Sequence, residues 1–320
     1  MERIAITLGD PSGIGPEIVM KALFSDRSLR EKTVLVGSIE SVKRLIRSGS
    51  LKEEDLDEYT WHDIPGSLTP LGKTGKESGL IARRSIEEAV KLASSGFAAG
   101  ICTAPINKES LKLGGSQFID HTEMLRSLTG SEFNSTIFES GGLRVSFLSK
   151  HVSLRKSLES MSVTSIQQCI EESSISMKLL GFQNPRIALA AVNPHGGEGG
   201  IMGREELDFM IPAVEKMKDR INISGPYPAD SVYYRASLGE FDLVISPYHD
   251  QGHIAAKMLD FHGTVSMNIG LPFLRTSVDH GTAFDIAGQN KADFRSMKSA
   301  ILRCIEFSDR YRRNYEKIFS

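Results

Sequence analysis

FDLVISPYHDQG, residues 241–252, begins as an apolar, β-branched run and turns directly into a polar loop that carries a histidine and a glycine. A short apolar run bounded by turn residues predicts a buried strand. Three other runs end in the same way: AAGICTA leads into Pro105–Lys108, LRVSFLS into Lys150 and His151, and RIALAAV into NPHGG at 193–197. Because ligands bind at the carboxyl ends of strands in open α/β sheets, these loops predict a functional site at one sheet edge.

The predicted strands alternate with stretches of helical periodicity, of which the longest lie at 77–96, 163–181 and 292–319. This alternation predicts an α/β protein with a mostly parallel sheet covered on both faces. A chain of 320 residues is long enough for two lobes. We find no internal repeat and no low-complexity linker, so we expect the two lobes to share an interwoven chain.

Composition argues against several classes of partner. The 38 basic and 40 acidic residues are mixed along the chain and give a net charge of -2, so no nucleic-acid-binding stripe is predicted and a small-molecule partner is favoured. Cys102, Cys169 and Cys304 show neither zinc nor redox spacing, which indicates reduced thiols. No apolar run approaches the roughly 20 residues that span a bilayer, and the first residues already predict a strand rather than a signal peptide. We therefore expect a cytoplasmic protein without a membrane segment.

Three histidines occupy the same position relative to their strands: His151, His195 and His249. Three neutral imidazoles can hold one divalent ion and leave coordination positions for substrate oxygens. This ligand type favours Zn²⁺ and also admits Mg²⁺, Co²⁺ or other divalent ions. Their wide spacing leaves the alternative that each is a loop residue or a satisfied core group, and His253 and His262 are interpreted in that way.

Two aspartates and a lysine could serve this site. Asp230 and Asp250 could be outer partners of the metal ligands, further ligands or proton acceptors, whereas Asp230 could equally cap the helix that follows it. Lys257 lies eight positions after His249 on a predicted helix. It is either a solvated surface residue or a functional group beneath a cleft.

Two other segments carry potential ligand contacts. Asp120, His121 and Thr122 precede a helical pattern and predict either an N-cap or an anion site at a helix N-terminus. The loop at 277–288 combines Gly281, which permits close backbone approach, with Asp285, whose carboxylate could accept from both ribose hydroxyls. Such a carboxylate repels a 2′-phosphate, so this loop predicts NAD rather than NADP.

TLGDPSGIGPEI, residues 7–18, looks like a nucleotide fingerprint but lacks the G-x-G-x-x-G spacing. Pro16 and Glu17 suit the start of a helix. We interpret the segment as a strand-to-helix turn that shapes the cleft and does not bind the cofactor.

Along nearly its whole length the chain resembles the 4-hydroxythreonine-4-phosphate dehydrogenase (PdxA) family. The stretches that carry the resemblance are, in order, GDPSGIGPE, TAPINK, DHTEML, AVNPHGGEGG, PADS, PYHDQGH and GLPFLRTSVDHGTAFDIAG. The last of them is also similar to the adenosine-binding loop of isocitrate and isopropylmalate dehydrogenases. The resemblance implies a two-lobed α/β/α subunit of that type. We expect an outer lobe at 1–122 plus 259–320, and a central lobe at 123–258 with the metal ligands and the dimer interface.

The resemblance also implies roles for individual residues. It makes His151, His195 and His249 the metal ligands of a site shared across a homodimer. It makes His121, Thr122, Lys257 and Arg275 substrate contacts, of which Arg275 suits a carboxylate or phosphate. It makes His280, Gly281, Thr282 and Asp285 the contacts to NAD.

Two positions depart from the family pattern. Ser266 stands where the family usually has an asparagine, and Asn268 stands where it has a threonine. HDQGHIAAK, residues 249–257, differs from the HDQGLP form of the vitamin pathway. It is more similar to a paralogous branch that oxidises D-threonate or D-erythronate 4-phosphate.

The reaction implied is NAD- and metal-dependent oxidation and decarboxylation of a 4-phosphorylated 3-hydroxy acid, with Lys257, Asp230 or Asp250 accepting a proton. From 4-hydroxy-L-threonine 4-phosphate, a step of pyridoxal phosphate biosynthesis, the product is 3-amino-2-oxopropyl phosphate. The sugar acids give dihydroxyacetone phosphate. Two alternatives of another class are a metal-dependent hydrolase or lyase, which would use the same histidines, and an acyltransferase of related fold.

Overall fold

The computed structural model describes residues 3–319, which divide into two compact units. Unit 1 contains residues 3–134 and 265–319, and unit 2 contains residues 135–264. The predicted lobe boundaries, after 122 and after 258, lie earlier in the chain. The helix that begins at His121 packs on unit 1, and the residues that follow Leu259 remain bonded to unit 2, where the Ser140 hydroxyl donates to the Asp260 carbonyl.

Unit 1 is built on a six-stranded sheet in the order β3-β2-β1-β4-β11-β10. Every pair is parallel except β10 and β11. The strands are β1 (Arg3–Thr7), β2 (Thr33–Gly37), β3 (Trp61–Asp63), β4 (Ala98–Thr103), β10 (Val265–Ile269) and β11 (Leu274–Val278). The helices are α1 (Gly15–Phe24), α2 (Ile39–Arg47), α3 (Lys76–Ser94), α4 (Lys108–Leu113), α5 (His121–Thr129) and α11 (Arg295–Phe319), with 3-10 turns at Arg27–Lys32 and Leu56–Glu58.

Unit 2 contains a five-stranded sheet in the order β5-β6-β9-β7-β8, in which only β5 and β6 are antiparallel. The strands are β5 (Ser135–Ser140), β6 (Leu143–Phe147), β7 (Ile187–Ala190), β8 (Ile223–Tyr227) and β9 (Leu243–Ser246). The helices are α6 (Leu154–Glu159), α7 (Val163–Leu179), α8 (Ile211–Met217), α9 (Ala229–Ser237) and α10 (His249–Leu259). A 3-10 segment at Pro194–Gly200 and one π-helical turn at Glu206–Met210 complete the unit.

The α/β class and the mostly parallel sheet are confirmed. Each of the six apolar runs with β-branched residues contains a strand: RIAITL, TVLVG, AAGICTA, LRVSFLS, RIALAAV and FDLVIS. The central strands β2 and β4 are buried at every position, as expected of parallel strands covered on both faces. Strands β3, β5, β8, β10 and β11 are not among the predicted runs. Strand β8, for example, reads ISGPY and lies at an edge of its sheet, where proline and glycine are tolerated. No helix within residues 3–319 is long and apolar enough to cross a membrane.

The glycines of the turn before α1 are required by close packing. A Cβ on Gly9 would lie 2.2 Å from the Pro105 carbonyl oxygen, and one on Gly13 would lie 2.9 Å from the Thr282 Cβ. The Ile14 N–H also donates to the Thr282 carbonyl at 3.0 Å. This turn therefore supports the loop at 277–288, in agreement with its interpretation as a shaping element.

Candidate active site

Two of the three predicted metal ligands lie together in unit 2. Strands β6 and β9 are parallel neighbours, with Phe147 opposite Ser246, so the loops that follow them leave the sheet side by side. His151 follows β6 and His249 follows β9, and their ring centroids are 5.8 Å apart. Both rings line a cavity of about 410 Å³ formed by these two loops. The rule that polar groups collect at the carboxyl ends of strands thus holds for this pair.

The ring of His249 is fixed from two sides. Its Nδ1 lies 2.7 Å from the Asp250 carboxylate. Because an ionised carboxylate only accepts, Nδ1 carries the proton and the lone pair of Nε2 remains available. The His253 ring, 7% exposed, packs against the His249 ring with 4.0 Å between centroids. Of the three roles considered for Asp250, the geometry favours that of an outer partner that orients a metal ligand.

His195 does not join the other two histidines. It begins a run of left-handed residues from 195 to 199, in which His195 has φ 54° and Glu198 has φ 42°. This conformation costs a residue with a side chain about 1–2 kcal/mol. The His195 ring is exposed, and no hydrogen bond within residues 3–319 involves it. In the same range, no three His, Cys, Asp or Glu side chains are close enough to hold a metal ion.

The donor set fits part of a metal site. Two imidazoles at one cavity, one of them oriented by a carboxylate, are the ligand chemistry that Zn²⁺ and similar ions prefer. Further ligands would have to come from outside this cluster. The three-histidine site shared between two copies stays a prediction.

Asp230 and Lys257 do not line the cavity. Asp230 is exposed in the first turn of α9, where Pro228 is the N-cap residue, so the alternative that Asp230 caps this helix is wrong. Lys257 is half-buried on α10, with its Nζ 5.7 Å from the centre of the Phe261 ring. Their roles as proton acceptors or substrate contacts stay predictions.

Unit 1 contains a buried cationic site around Arg275. Its Nε and Nη2 donate to Thr103 Oγ1 at 3.0 and 2.7 Å, and its Nη1 donates to Asn268 Oδ1. Burial lowers the pKa of Arg275 to about 10, which still leaves the guanidinium charged at neutral pH. The sequence patterns did not predict Thr103 or Asn268 as partners of Arg275, although Asn268 departs from the family pattern. For Asn268, the two-residue period of β10 was the available signal, since it puts Asn268 on the same face as Ser266.

His121 interacts electrostatically with Arg275. Burial, and then the charge of Arg275, lower the pKa of His121 well below its ordinary value, so the imidazole is neutral. Its Nε2 is buried and has no hydrogen-bond partner among residues 3–319. Asp120 is the N-cap of α5, since its carboxylate accepts from the Glu123 N–H at 3.0 Å. Thr122, in the same first turn, is half-buried.

The predicted cofactor loop lies in unit 1. His280, Gly281 and Asp285 are exposed, whereas Thr282 is 7% exposed and bonded to the turn before α1. A Cβ on Gly281 would meet no atom within 4 Å, so packing within the chain does not require glycine there. The three exposed residues are therefore available to a ligand.

Comparison with known proteins identifies the family. The family model described as "Pyridoxal phosphate biosynthetic protein PdxA" matches residues 17–304. The chain belongs to the PdxA family. The resemblance found in the sequence motifs is thereby confirmed.

Several dehydrogenases are similar to this chain over nearly its full length. The D-threonate 4-phosphate dehydrogenase of Pectobacterium atrosepticum is 39% identical over an alignment of 318 positions, and the match covers 93% of this chain and 97% of that protein. The crystal structure of the Klebsiella pneumoniae 4-hydroxythreonine-4-phosphate dehydrogenase has a TM-score of 0.87 and 36% identity, and the match covers 96% of this chain and 100% of that one. The Burkholderia phymatum enzyme of the same name gives a TM-score of 0.81 and 35% identity over 96% and 98%. This PdxA-family protein is therefore a dehydrogenase, as predicted.

Proposed function

We propose that the chain catalyses the NAD-dependent, divalent-metal-dependent oxidation and decarboxylation of D-threonate 4-phosphate or its epimer D-erythronate 4-phosphate. The observation that carries the proposal is the pairing of His151 with a carboxylate-oriented His249 at one cavity. The choice of sugar acid is supported by the name of the Pectobacterium relative and by the HDQGH form of the loop at 249–253. 4-Hydroxy-L-threonine 4-phosphate is the second candidate, because the Klebsiella and Burkholderia phymatum structures similar to this chain bear the name of a 4-hydroxythreonine-4-phosphate dehydrogenase.

In this proposal His151 and His249 hold the metal ion together with His195 from a second copy. The bound ion would lower the pKa of the substrate hydroxyl and stabilise the charge left on loss of carbon dioxide. Asp250 keeps the proton on Nδ1 of His249 and so directs Nε2 toward the cavity. Because Asp250 is occupied in this way, we propose Lys257 or Asp230 as the group that removes the hydroxyl proton.

Arg275 and His121 are proposed to bind the phosphate, with Thr122 adding a hydroxyl donor. Arg275 has five N–H donors, and three of them bind Thr103 and Asn268. The other two N–H groups could donate to an anion. His121 contributes a neutral ring with an unpartnered Nε2. A permanently charged donor beside a neutral donor suits a phosphate oxygen.

NAD is the proposed cofactor and accepts the hydride when it is bound. His280, Gly281, Thr282 and Asp285 are the proposed contacts. The exposed Asp285 carboxylate supports NAD over NADP, because it would repel a 2′-phosphate.

A homodimer is proposed because one chain does not bring the three histidines together. Unit 2 also exposes several large apolar side chains to solvent, and such exposure supports an interface with a second copy. They are Ile201 at 83%, Met258 at 81%, Leu238 at 69%, Tyr234 at 68%, Phe261 at 66% and Ile254 at 64% exposed. A cytoplasmic location is proposed because all three cysteines are free and buried.

The substrate is tested by incubating the purified protein with D-threonate, D-erythronate and 4-hydroxy-L-threonine 4-phosphates, each with NAD and Zn²⁺ or Co²⁺. We expect NADH and dihydroxyacetone phosphate from the sugar acids, and much less NADH from the amino acid. Preferential turnover of the amino acid would select the second candidate. Release of phosphate or cleavage without NADH would support a hydrolase or lyase.

The shared site is tested by mixing two inactive variants, His195→Ala and His249→Ala, under conditions that exchange subunits. If each site takes His195 from the opposite chain, a mixed dimer has one intact site, and the mixture should recover about a quarter of the parental activity. If all ligands came from one chain, mixing would restore nothing.

A further inference from the structure

Glu206 carries a buried carboxylate that bonds back to the start of the loop at 193–206. This side chain is 1% exposed on the π-helical turn at Glu206–Met210. Its Oε1 accepts from the main-chain N–H groups of Val192 and Asn193, both at 2.8 Å. Its Oε2 accepts from the Asn193 amide, Nδ2, at 2.8 Å. Three donors thus converge on the carboxylate where the chain leaves β7 for the loop that carries His195.

The loop is also fitted closely around this carboxylate. A Cβ on Gly197 would lie 2.9 Å from Glu206 Oε2, and one on Gly203 would lie 2.4 Å from Asn193 Nδ2. Both glycines have positive φ, 79° and 142°. The backbone on either side of His195 is therefore fixed against Glu206 and its partner Asn193.

The ring of His195 has no such support of its own. His249 is oriented by Asp250 and His253, but no hydrogen bond within residues 3–319 reaches the His195 ring. The direction of the His195 side chain consequently depends on the backbone conformation at 193–197. That backbone is held by Glu206.

We infer that Glu206 is a positioning residue that holds His195 in the orientation needed to bind the metal ion. The inference rests on the proposed function, in which His195 is a ligand. Asp250 orients His249 through a direct hydrogen bond to its ring, whereas Glu206 would orient His195 through contacts with the backbone before it.

Glu206→Gln is the sharpest test, because it keeps the size and the carbonyl oxygen. The new amide would place N–H donors against Asn193 Nδ2. If the Asn193 amide rotated instead, its oxygen would face Glu205, whose carboxylate now accepts from Nδ2 at 2.6 Å. Either arrangement disturbs the contacts at 193.

The measurement is the affinity of the purified protein for Zn²⁺ and Co²⁺ by chelator competition, together with the visible spectrum of bound Co²⁺. We expect Glu206→Gln to bind the metal about 10- to 100-fold more weakly, the range typical for outer partners of ligands. Activity should return toward the parental value when metal is in excess. Asp208→Asn is the matched control, since Asp208 is exposed on the same π-helical turn and pairs with the exposed Arg204. Its metal affinity should stay within about twofold.

His195→Ala separates the inference from the function on which it rests. If His195→Ala loses metal affinity and a folded Glu206→Gln does not, the positioning role is wrong and the proposed site stands. If His195→Ala binds metal as tightly as the parent protein, the proposed ligand set itself is wrong. Should Glu206→Gln fail to fold, Glu206→Asp keeps the charge and withdraws the oxygens from the main-chain donors. It should then show the same weakening, and unchanged affinity in that variant would overturn the inference.

Discussion

The Nδ1 atom of His249 lies 2.7 Å from the carboxylate of Asp250, the next residue in the chain. Asp250 is 78% exposed, so this contact contributes little to folding stability. Its consequence is chemical, because it fixes which ring nitrogen can bind a metal ion.

Replacement of Asp250 by alanine should therefore weaken metal binding without unfolding the protein. We expect about a 10- to 100-fold loss of Zn²⁺ affinity and a melting temperature within a few degrees of the parent. Asp250→Asn retains an oxygen that can accept from Nδ1 and should lose less. Equal affinities for the parent and the alanine variant would contradict the assigned role.

Arg275→Lys should specifically impair recognition of the phosphate. A lysine cannot contact Thr103, Asn268 and an anion at once, because it lacks the planar fork of arginine. Loss of one charge-assisted hydrogen bond, about 1.5–3 kcal/mol, should lower kcat/KM for the phosphorylated acid by about 10- to 100-fold. The affinity for NAD, measured by fluorescence titration, serves as the control and should not change. A parallel loss of NAD affinity would indicate a general structural defect.

Glycines 13 and 281 should respond differently to alanine. Gly13→Ala forces a Cβ to 2.9 Å from Thr282, so it should lower both the melting temperature and the affinity for NAD. The Cβ added by Gly281→Ala meets no atom within 4 Å in the described part of the chain, so this variant should leave the melting temperature unchanged. If the cofactor approaches this backbone closely, Gly281→Ala should still weaken NAD binding. Parental NAD affinity in Gly281→Ala would place the cofactor elsewhere.

Stability should fall in mild acid because of His121. Its pKa is lowered in the folded protein, so below the ordinary value of 6.5 the unfolded chain binds the proton that the folded chain rejects. The free energy of unfolding is therefore not reduced by His121 above pH 6.5. Below pH 6.5 it falls by at most about 1.4 kcal/mol per pH unit because of this residue. Urea unfolding of the parent and of His121→Gln between pH 5 and 8 measures the difference. The variant should lose less stability toward pH 5, and identical profiles would contradict the assignment.

The part of the site that the sequence predicts best is the pair His151 and His249. Both follow strands that are parallel neighbours, so the strand-end rule is sufficient to bring them together. His195 also follows a strand next to β9, but it lies in a left-handed loop and does not form a three-residue cluster with the pair among residues 3–319. The conformation of this loop cannot be predicted from the pattern of the strand before it. It depends on Gly197 and Gly203, which pack against Glu206 and its partner Asn193.

The fold was predictable where burial produces continuous apolar runs, as in β2 and β4. Strand β10 reads VSMNI, which alternates apolar and polar residues and is therefore not a continuous apolar run. Its polar Asn268 is buried because it binds Arg275, so a residue that serves a site interrupts the kind of apolar run that locates β2 and β4.

The division of the chain into units has a consequence for biosynthesis. Unit 2 is one continuous segment, whereas β4 of unit 1 pairs with β11, so that Thr103 bonds to a residue 172 positions later. As the polypeptide leaves the ribosome, residues 135–264 emerge complete and can fold while the first part of unit 1 still lacks its partner strands. Nascent β4 therefore exposes an unpaired edge until nearly the whole chain has been translated, and this interval is when the protein is most open to aggregation and to chaperone binding.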